Sequence, residues 1–312
     1  MDFLPEGRIY QTEENRASIS SLAGLQQAME DGRILEAKAY LCTGNHDLMV
    51  SLGSGTGIIP REEAAVGIRE GTVRDIAIIS RVGHPVGFVV ESVGCENGRV
   101  RAVLSRRKAQ QMCIEQYTGK LVPGDIIPAR ITRLESFGAF ADIGCGLAAL
   151  MPIDMMSVSR ISHPSQRFYT GEDILAVVKT TENGRISLSH KELLGSWEEN
   201  AGMFHPGETV KGVVRSVEEY GIFVELTPNL AGLAEKKPGI VPGMTVSVFI
   251  KNIIPERMKV KLIIIEGFQE EEIPAPAPYR IREGHLSDWV YSPACCGRKI
   301  ETIFDQGSPV TT

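Results

Sequence analysis

Two short segments carry the residues whose types and spacing could do chemistry. Each sets two aromatic side chains three positions apart around a glycine: Phe137-Gly138-Ala139-Phe140 and Tyr220-Gly221-Ile222-Phe223. Downstream of the first pair come Lys179 and Arg185, and downstream of the second come Lys251 and Arg257. An exposed aromatic ring accepts a nucleobase by stacking, worth about 1–3 kcal/mol per base, and nearby cations accept phosphates. Arg130 and Arg133, just ahead of Phe137, are further candidates. Residues three apart on a regular strand point to opposite faces, so both rings reach one side only if the glycine bends the strand. The competing role for these aromatics is to fill a core, and for the arginines to be solvated surface charges.

Catalytic and metal-binding patterns are poor by comparison. Gly53-Ser54-Gly55-Thr56-Gly57 lacks the spacing and the lysine of a phosphate-binding loop and reads as a hairpin turn. Asp142 and Asp154 have no recognisable carboxylate partner, and the adjacent Cys295 and Cys296 near His285 make a poor tetrahedral metal set. No enzymatic activity, metal or cofactor is expected. The six cysteines contain no C-x-x-C pair, no apolar run nears the roughly 18 residues of a membrane helix, and residues 1–8 lack a secretion leader. A cytoplasmic protein with reduced thiols and no membrane partner is the expectation. The net charge of −6 is unevenly spread. Residues 33–108 hold 11 Lys/Arg against 8 Asp/Glu, residues 120–195 are balanced, and the acid concentrates in the ends and connectors. Such blocks suit a local phosphate-binding surface.

The scaffold that must position these residues is repeated. Residues 124–151 align without a gap on 207–234, matching Gly124 with Gly207, Phe137 with Tyr220, Phe140 with Phe223 and Leu150 with Leu233. A second block matches Gly171 with Gly243, Lys179 with Lys251 and Arg185 with Arg257, and only the stretch between the blocks differs in length. Each unit reads as five short strands in about 70 residues, with an Asn183-Gly184 hairpin dipeptide in one. That strand count suits a small closed barrel of the OB type, whereas a sandwich needs about seven strands. A divergent third copy lies upstream, with Asn45 or His46 and Leu48 or Met49 where the aromatics would be.

The expected fold is therefore mainly β: three tandem five-stranded OB-type barrels joined by short helices, with a small C-terminal extension. The boundaries are 1–32 for an N-terminal segment with a short helix capped by Ser20 or Ser21, 33–108 for the divergent first barrel, and 109–119 for a linker helix. The second barrel takes 120–191, a second linker helix 192–205, the third barrel 206–266. A Pro-containing linker and extension take 267–312, the extension docking through Trp289, Tyr291 and Phe304. Trp197 reads as a helix-to-barrel anchor.

Around residues 135–142 and 184–189 the second copy resembles the S1 domain, the RNA-binding domain repeated in bacterial small-subunit ribosomal protein one, and residues 191–200 resemble its interdomain helix. The resemblance covers roughly residues 33–266. It implies OB barrels whose binding face uses aromatics at the positions of Phe137 and Phe140, a third-strand histidine, and basic residues on the last hairpin. Met151 and Ala234 stand at the histidine position as aligned. The function so implied is non-enzymatic binding of single-stranded RNA (mRNA or rRNA) in translation, with the small ribosomal subunit as a further partner. The alternative is a protein-docking module of a ribosomal or RNA-processing complex.

Overall fold

In the computed structural model of the chain, residues 3–182, 184–268 and 277–304 are described. The first barrel comprises β1 (Leu35–Cys42), β2 (Leu48–Leu52), β3 (Gly55–Ile59), β4 (Pro85–Glu96) and β5 (Arg99–Ser105). The second comprises β6 (Ile126–Glu135), β7 (Gly138–Asp142), β8 (Ala148–Pro152), β9 (Asp173–Glu182) and β10 (Arg185–Ser189). The third comprises β11 (Thr209–Glu218), β12 (Gly221–Thr227), β13 (Leu230–Ala234), β14 (Thr245–Ile254) and β15 (Lys259–Phe268). All three close in the strand order first, second, third, fifth, fourth. The third and fifth strands run parallel, through Ile58 with Val103, Leu150 with Ser187, and Leu233 with Lys261. This is the OB architecture expected from the strand count.

Alternation fills each interior. Leu104, Leu188 and Leu262 occupy one equivalent inward position on the last strand, and all three are buried. Opposite each of them the fourth strand carries one extra residue, a β-bulge, at Glu91, Lys179 and Lys251 respectively. A bulge residue escapes the two-residue alternation, so its side chain can leave the barrel wall where its neighbours enter the core.

Helices are more numerous than the sequence suggests: α1 (Glu13–Ile19), α2 (Leu22–Glu30), α3 (Ile76–Ile79), α4 (Arg106–Gln116) and α5 (Trp197–Ala201). Ser21 caps α2 through the backbone N–H of Gly24 at 3.0 Å. The linker helix expected over 192–205 is instead a 3-10 turn at Lys191–Leu194 followed by five residues of α5. Gly195 separates them at φ 86°, outside helical space, and Ser196 and Glu199 then restart the helix as a capping box. Asn183 of the hairpin dipeptide and most of the Pro-containing stretch (269–276) lie outside the described residues.

The chain divides into two compact units. Met1–Leu121 with Pro128–Arg130 and Asp142–Ala148 form one; Val122–Ile127, Ile131–Ala141 and Ala149–Thr312 form the other. A buried charge cluster organises the first. Glu6 accepts two hydrogen bonds from Arg106, at 2.6 and 3.0 Å, and its own N–H donates to Asp142 at 2.7 Å. Glu36 lies close by and accepts from the N–H of Gly7 at 2.9 Å. Burial, reinforced by the Glu6 charge, raises Glu36 to about 8 and Asp142 to about 7.

In the second unit the C-terminal extension is docked. Trp289 on β16 (Asp288–Val290), which pairs with β17 (Glu301–Ile303), is buried with Tyr291 against the core that holds Trp197 and Val248. The Tyr291 hydroxyl donates to the carbonyl of Asn229 at 2.6 Å. Phe304 is buried beside Val177 and Leu193, whereas Ile303 faces solvent. Tyr279 accepts from the N–H of Leu175 and lies 3.2 Å from Nε2 of the buried His190. The other ring nitrogen of His190 donates to the Met156 carbonyl, and burial lowers the imidazole to about 4.

These shifts act in opposite directions. Glu36 and Asp142 keep their protons in the folded state well above the pH at which the unfolded chain releases them, so their contribution is lost as pH rises through about 7–8. His190 is neutral when folded, so its contribution is lost as pH falls from about 6.5 towards 4. Hydrogen–deuterium exchange of the whole chain should show the first unit less protected at pH 8 than at pH 6, and the second less protected at pH 4.5 than at pH 6. Glu36→Gln should narrow the first difference only.

Candidate nucleic-acid interface

The two aromatic pairs form the same object twice. Phe137 and Phe140 meet edge to face with ring centroids 6.1 Å apart at 87°, and Tyr220 and Phe223 do so at 6.0 Å and 87°. The glycine between them makes this possible. A Cβ on Gly138 would lie 2.5 Å from the Met151 carbonyl oxygen, and one on Gly221 2.6 Å from that of Ala234. Only a residue without a side chain lets the second strand leave its turn this close to the third. The leading ring then stands outside the strand, 55% exposed at Phe137 and 70% at Tyr220. Phe140 and Phe223 are half-buried beneath. Neither pair belongs to a core.

Register resolves the first barrel's ambiguity. Met49 faces Ile58 as Phe223 faces Leu233, and Leu48 faces Ile59 as Ile222 faces Ala234. The positions of Tyr220 and Phe223 are therefore held by His46 and Met49. His46 has φ 64° and its Nδ1 lies 3.9 Å from Asp75. The bulge position of Lys179 and Lys251 holds Glu91, which pairs with Lys108 at 3.0 Å. Arg101, at the register position of Arg185, is tied to Glu96 at 2.6 Å. The first barrel has neither an aromatic pair nor a cation at the bulge.

The candidate cations are not all placed alike. Arg185, Lys251 and Arg257 are exposed, with no ion pair among the described residues. Lys179 lies over the Phe304 ring at 5.3 Å, and partial burial pulls its ammonium below the usual lysine value. Arg133 pairs with Glu135, and Arg130 donates to the carbonyl of Glu6 at 3.1 Å. The matching of Arg185 with Arg257 also shifts. Arg185 opens β10 opposite Glu182, across a two-residue turn. The third barrel's turn is four residues long and contains Arg257, so Lys259, opposite Ile254, takes the register position of Arg185. Lys259 and Lys261 were not singled out in the sequence, although the alternation of β15 turns both outward.

The histidine position needs a correction. Met151 and Ala234 are 0% and 2% exposed, pointing into their barrels, so no residue there could touch a ligand. The outward neighbours are Pro152 and Glu235, neither of which supplies an imidazole. The long connection after β8 buries Arg167 and Phe168. Arg167 pairs with Glu225, which also takes two hydrogen bonds from Arg215 at 2.9 Å each.

Aromatic pairs beside outward cations on an OB barrel form a surface able to stack bases and meet phosphates. The matches to known proteins agree with RNA binding. Residues 120–191 match the S1 RNA binding domain. The chain is 31% identical to small ribosomal subunit protein bS1 of Staphylococcus aureus strain COL, over 81% of this chain and 66% of that protein. It is 29% identical to bS1 of Staphylococcus haemolyticus, over 80% of this chain and 65% of that one. The chain thus spans about two thirds of the length of these relatives. A multidomain protein with nucleic acid binding domains from Streptococcus pneumoniae matches 75% of this chain and 73% of its own at 13% identity, with a TM-score of 0.25, too low to bear on fold or function. The chain belongs to the family of S1-domain proteins of which these ribosomal proteins are members.

Solvent-facing and core positions should separate cleanly on mutation. Phe137→Ala in the full chain should leave the melting temperature nearly unchanged. Met151→Ala, at a fully buried site, should cost about 2–5 kcal/mol of stability. A calorimetric comparison of the two variants checks the assignment.

Proposed function

We propose that this protein binds single-stranded RNA without catalysing a reaction on it, acting in translation at the small ribosomal subunit in the cytoplasm. One observation carries the reading: the same exposed edge-to-face aromatic pair occurs in two barrels, each with a lysine at a bulge. A stacking platform is indifferent to base identity and follows an extended strand, whereas duplex RNA hides its base faces. The residues we assign to contact are Phe137, Phe140, Tyr220 and Phe223 for bases, and Lys179, Arg185, Lys251 and Arg257 for phosphates, with Lys259 and Lys261 added and Arg130 and Arg133 peripheral. The domains that bind are 120–191 and 206–266; the domain at 33–108 is the non-stacking copy. Relatives named as small-subunit ribosomal proteins support the ribosomal setting.

Fluorescence anisotropy against a single-stranded oligoribonucleotide, with duplex RNA as control, tests this. Three or four phosphates at about −0.7 each should give a log–log salt slope of about −2 to −3. Arg185→Glu should flatten it by about one unit, and Phe137→Ala with Phe140→Ala should weaken binding by about 2–4 kcal/mol. Binding that ignores both salt and the aromatics would instead identify a protein-docking surface.

A further inference from the structure

The third barrel's aromatic pair is exposed into a recess rather than onto a flat face. It forms one wall of a cavity of about 560 Å³, a volume within the range of small-ligand sites. The opposite wall is the segment after β8, from Val158 to Ser162, which belongs to the second repeat. That segment is fixed in place by the turn between β12 and β13. The N–H of Val158 donates to the Asn229 side chain at 3.0 Å, and that of Ser159 donates to the Pro228 carbonyl at 3.0 Å. Arg167 braces the same end, donating to Ser157 at 2.9 Å and pairing with Glu225. A cavity held this firmly is pre-organised for its occupant.

Two side chains give the cavity a preference that stacking lacks. Arg160 and Glu218 both line it, both are exposed, and neither has an ion pair among the described residues. In the second barrel the carboxylate equivalent to Glu218 is Glu135, which is neutralised by Arg133. The residue equivalent to Arg133 is Ser216, also on the cavity wall, so Glu218 is released. An unneutralised carboxylate beside a polyanion is unfavourable unless the ligand uses it. Guanine alone among the RNA bases presents two adjacent donors on its pairing edge, N1–H and N2–H, matching the two oxygens of a carboxylate. Adenine and cytosine offer one amino group beside a repelling ring nitrogen, and uracil offers one N–H flanked by carbonyls.

We propose that this cavity is a guanine-selecting nucleotide site completed by both repeats: the base stacks on Tyr220 and Phe223, Glu218 accepts from its pairing edge, and Arg160 meets its phosphate. The site rests on the third barrel's binding RNA. The test compares a nine-nucleotide oligouridylate with the same oligomer carrying one central guanosine, by anisotropy on the full chain. The guanosine oligomer should bind about tenfold more tightly, within what a bidentate base contact supplies. Glu218→Gln should abolish that difference while leaving oligouridylate affinity within about twofold. Arg160→Ala should weaken both oligomers equally and flatten the salt slope by about 0.7. Both variants should melt as the unaltered chain does. Equal binding of the two oligomers, or a preference that survives Glu218→Gln, overturns the guanine site alone. No binding of either oligomer overturns the RNA-binding reading beneath it as well.

Discussion

Closure of a five-stranded barrel through a parallel contact between its third and fifth strands is the constraint on which everything else depends. The closure fixes which residues face inward, and the three copies satisfy it with the same leucine, at Leu104, Leu188 and Leu262. It also fixes a bulge opposite that leucine, on the fourth strand. A regular strand at this point would have to alternate, and the residue after a core position would be committed to the wall. The bulge frees one side chain from that commitment, in the same place each time. Chemistry at that place can change without disturbing the core.

The copies have diverged within that freedom. Lysine at the bulge in the second and third barrels gives way to Glu91 in the first, and the aromatic pair gives way to His46 and Met49. Two of the first barrel's outward charges are then paired within the chain, Glu91 with Lys108 and Arg101 with Glu96. A cation already paired, as Arg101 and Lys108 are, has less to offer a phosphate, because the contact must first break an existing ion pair. The barrel cores of the first and third copies meanwhile stay apolar. Shape is retained where closure demands it, and charge varies where closure is silent.

This distinction also separates what the sequence makes legible from what it hides. Strand count and barrel type follow from local pattern: turn glycines, β-branched runs and a repeat. The outward placement of Phe137 and Tyr220 does not, since a core role fits the same pattern. The hidden features all depend on register or on long-range pairing. The turn at Pro255–Arg257 is two residues longer than its counterpart, which moves Lys259 rather than Arg257 into the position of Arg185. A one-residue offset decides whether the third strand's candidate ligand is the buried Met151 or the outward Pro152. The helix over 192–205 looks continuous by periodicity, and a single Gly195 outside helical space divides it. Nothing local marks Arg167 as buried, since its partner Glu225 is far away in sequence.

That buried arginine explains why the connection after β8 is long. Glu225 is shared by Arg167 and Arg215, and all three side chains are nearly inaccessible. Removing charged groups from water costs several kcal/mol per ion, so such a cluster adds little net stability compared with apolar residues of the same size. What it does impose is geometry: a guanidinium and a carboxylate buried together tolerate few relative placements. Arg215 already belongs to the barrel wall beside Glu225, so the only part the cluster must recruit is Arg167, and with it the chain back to Ser157. A shorter connection, such as the one between β13 and β14, could not deliver an arginine to a neighbouring strand. The extra length is therefore spent on fixing a segment of one repeat against the aromatic face of the next.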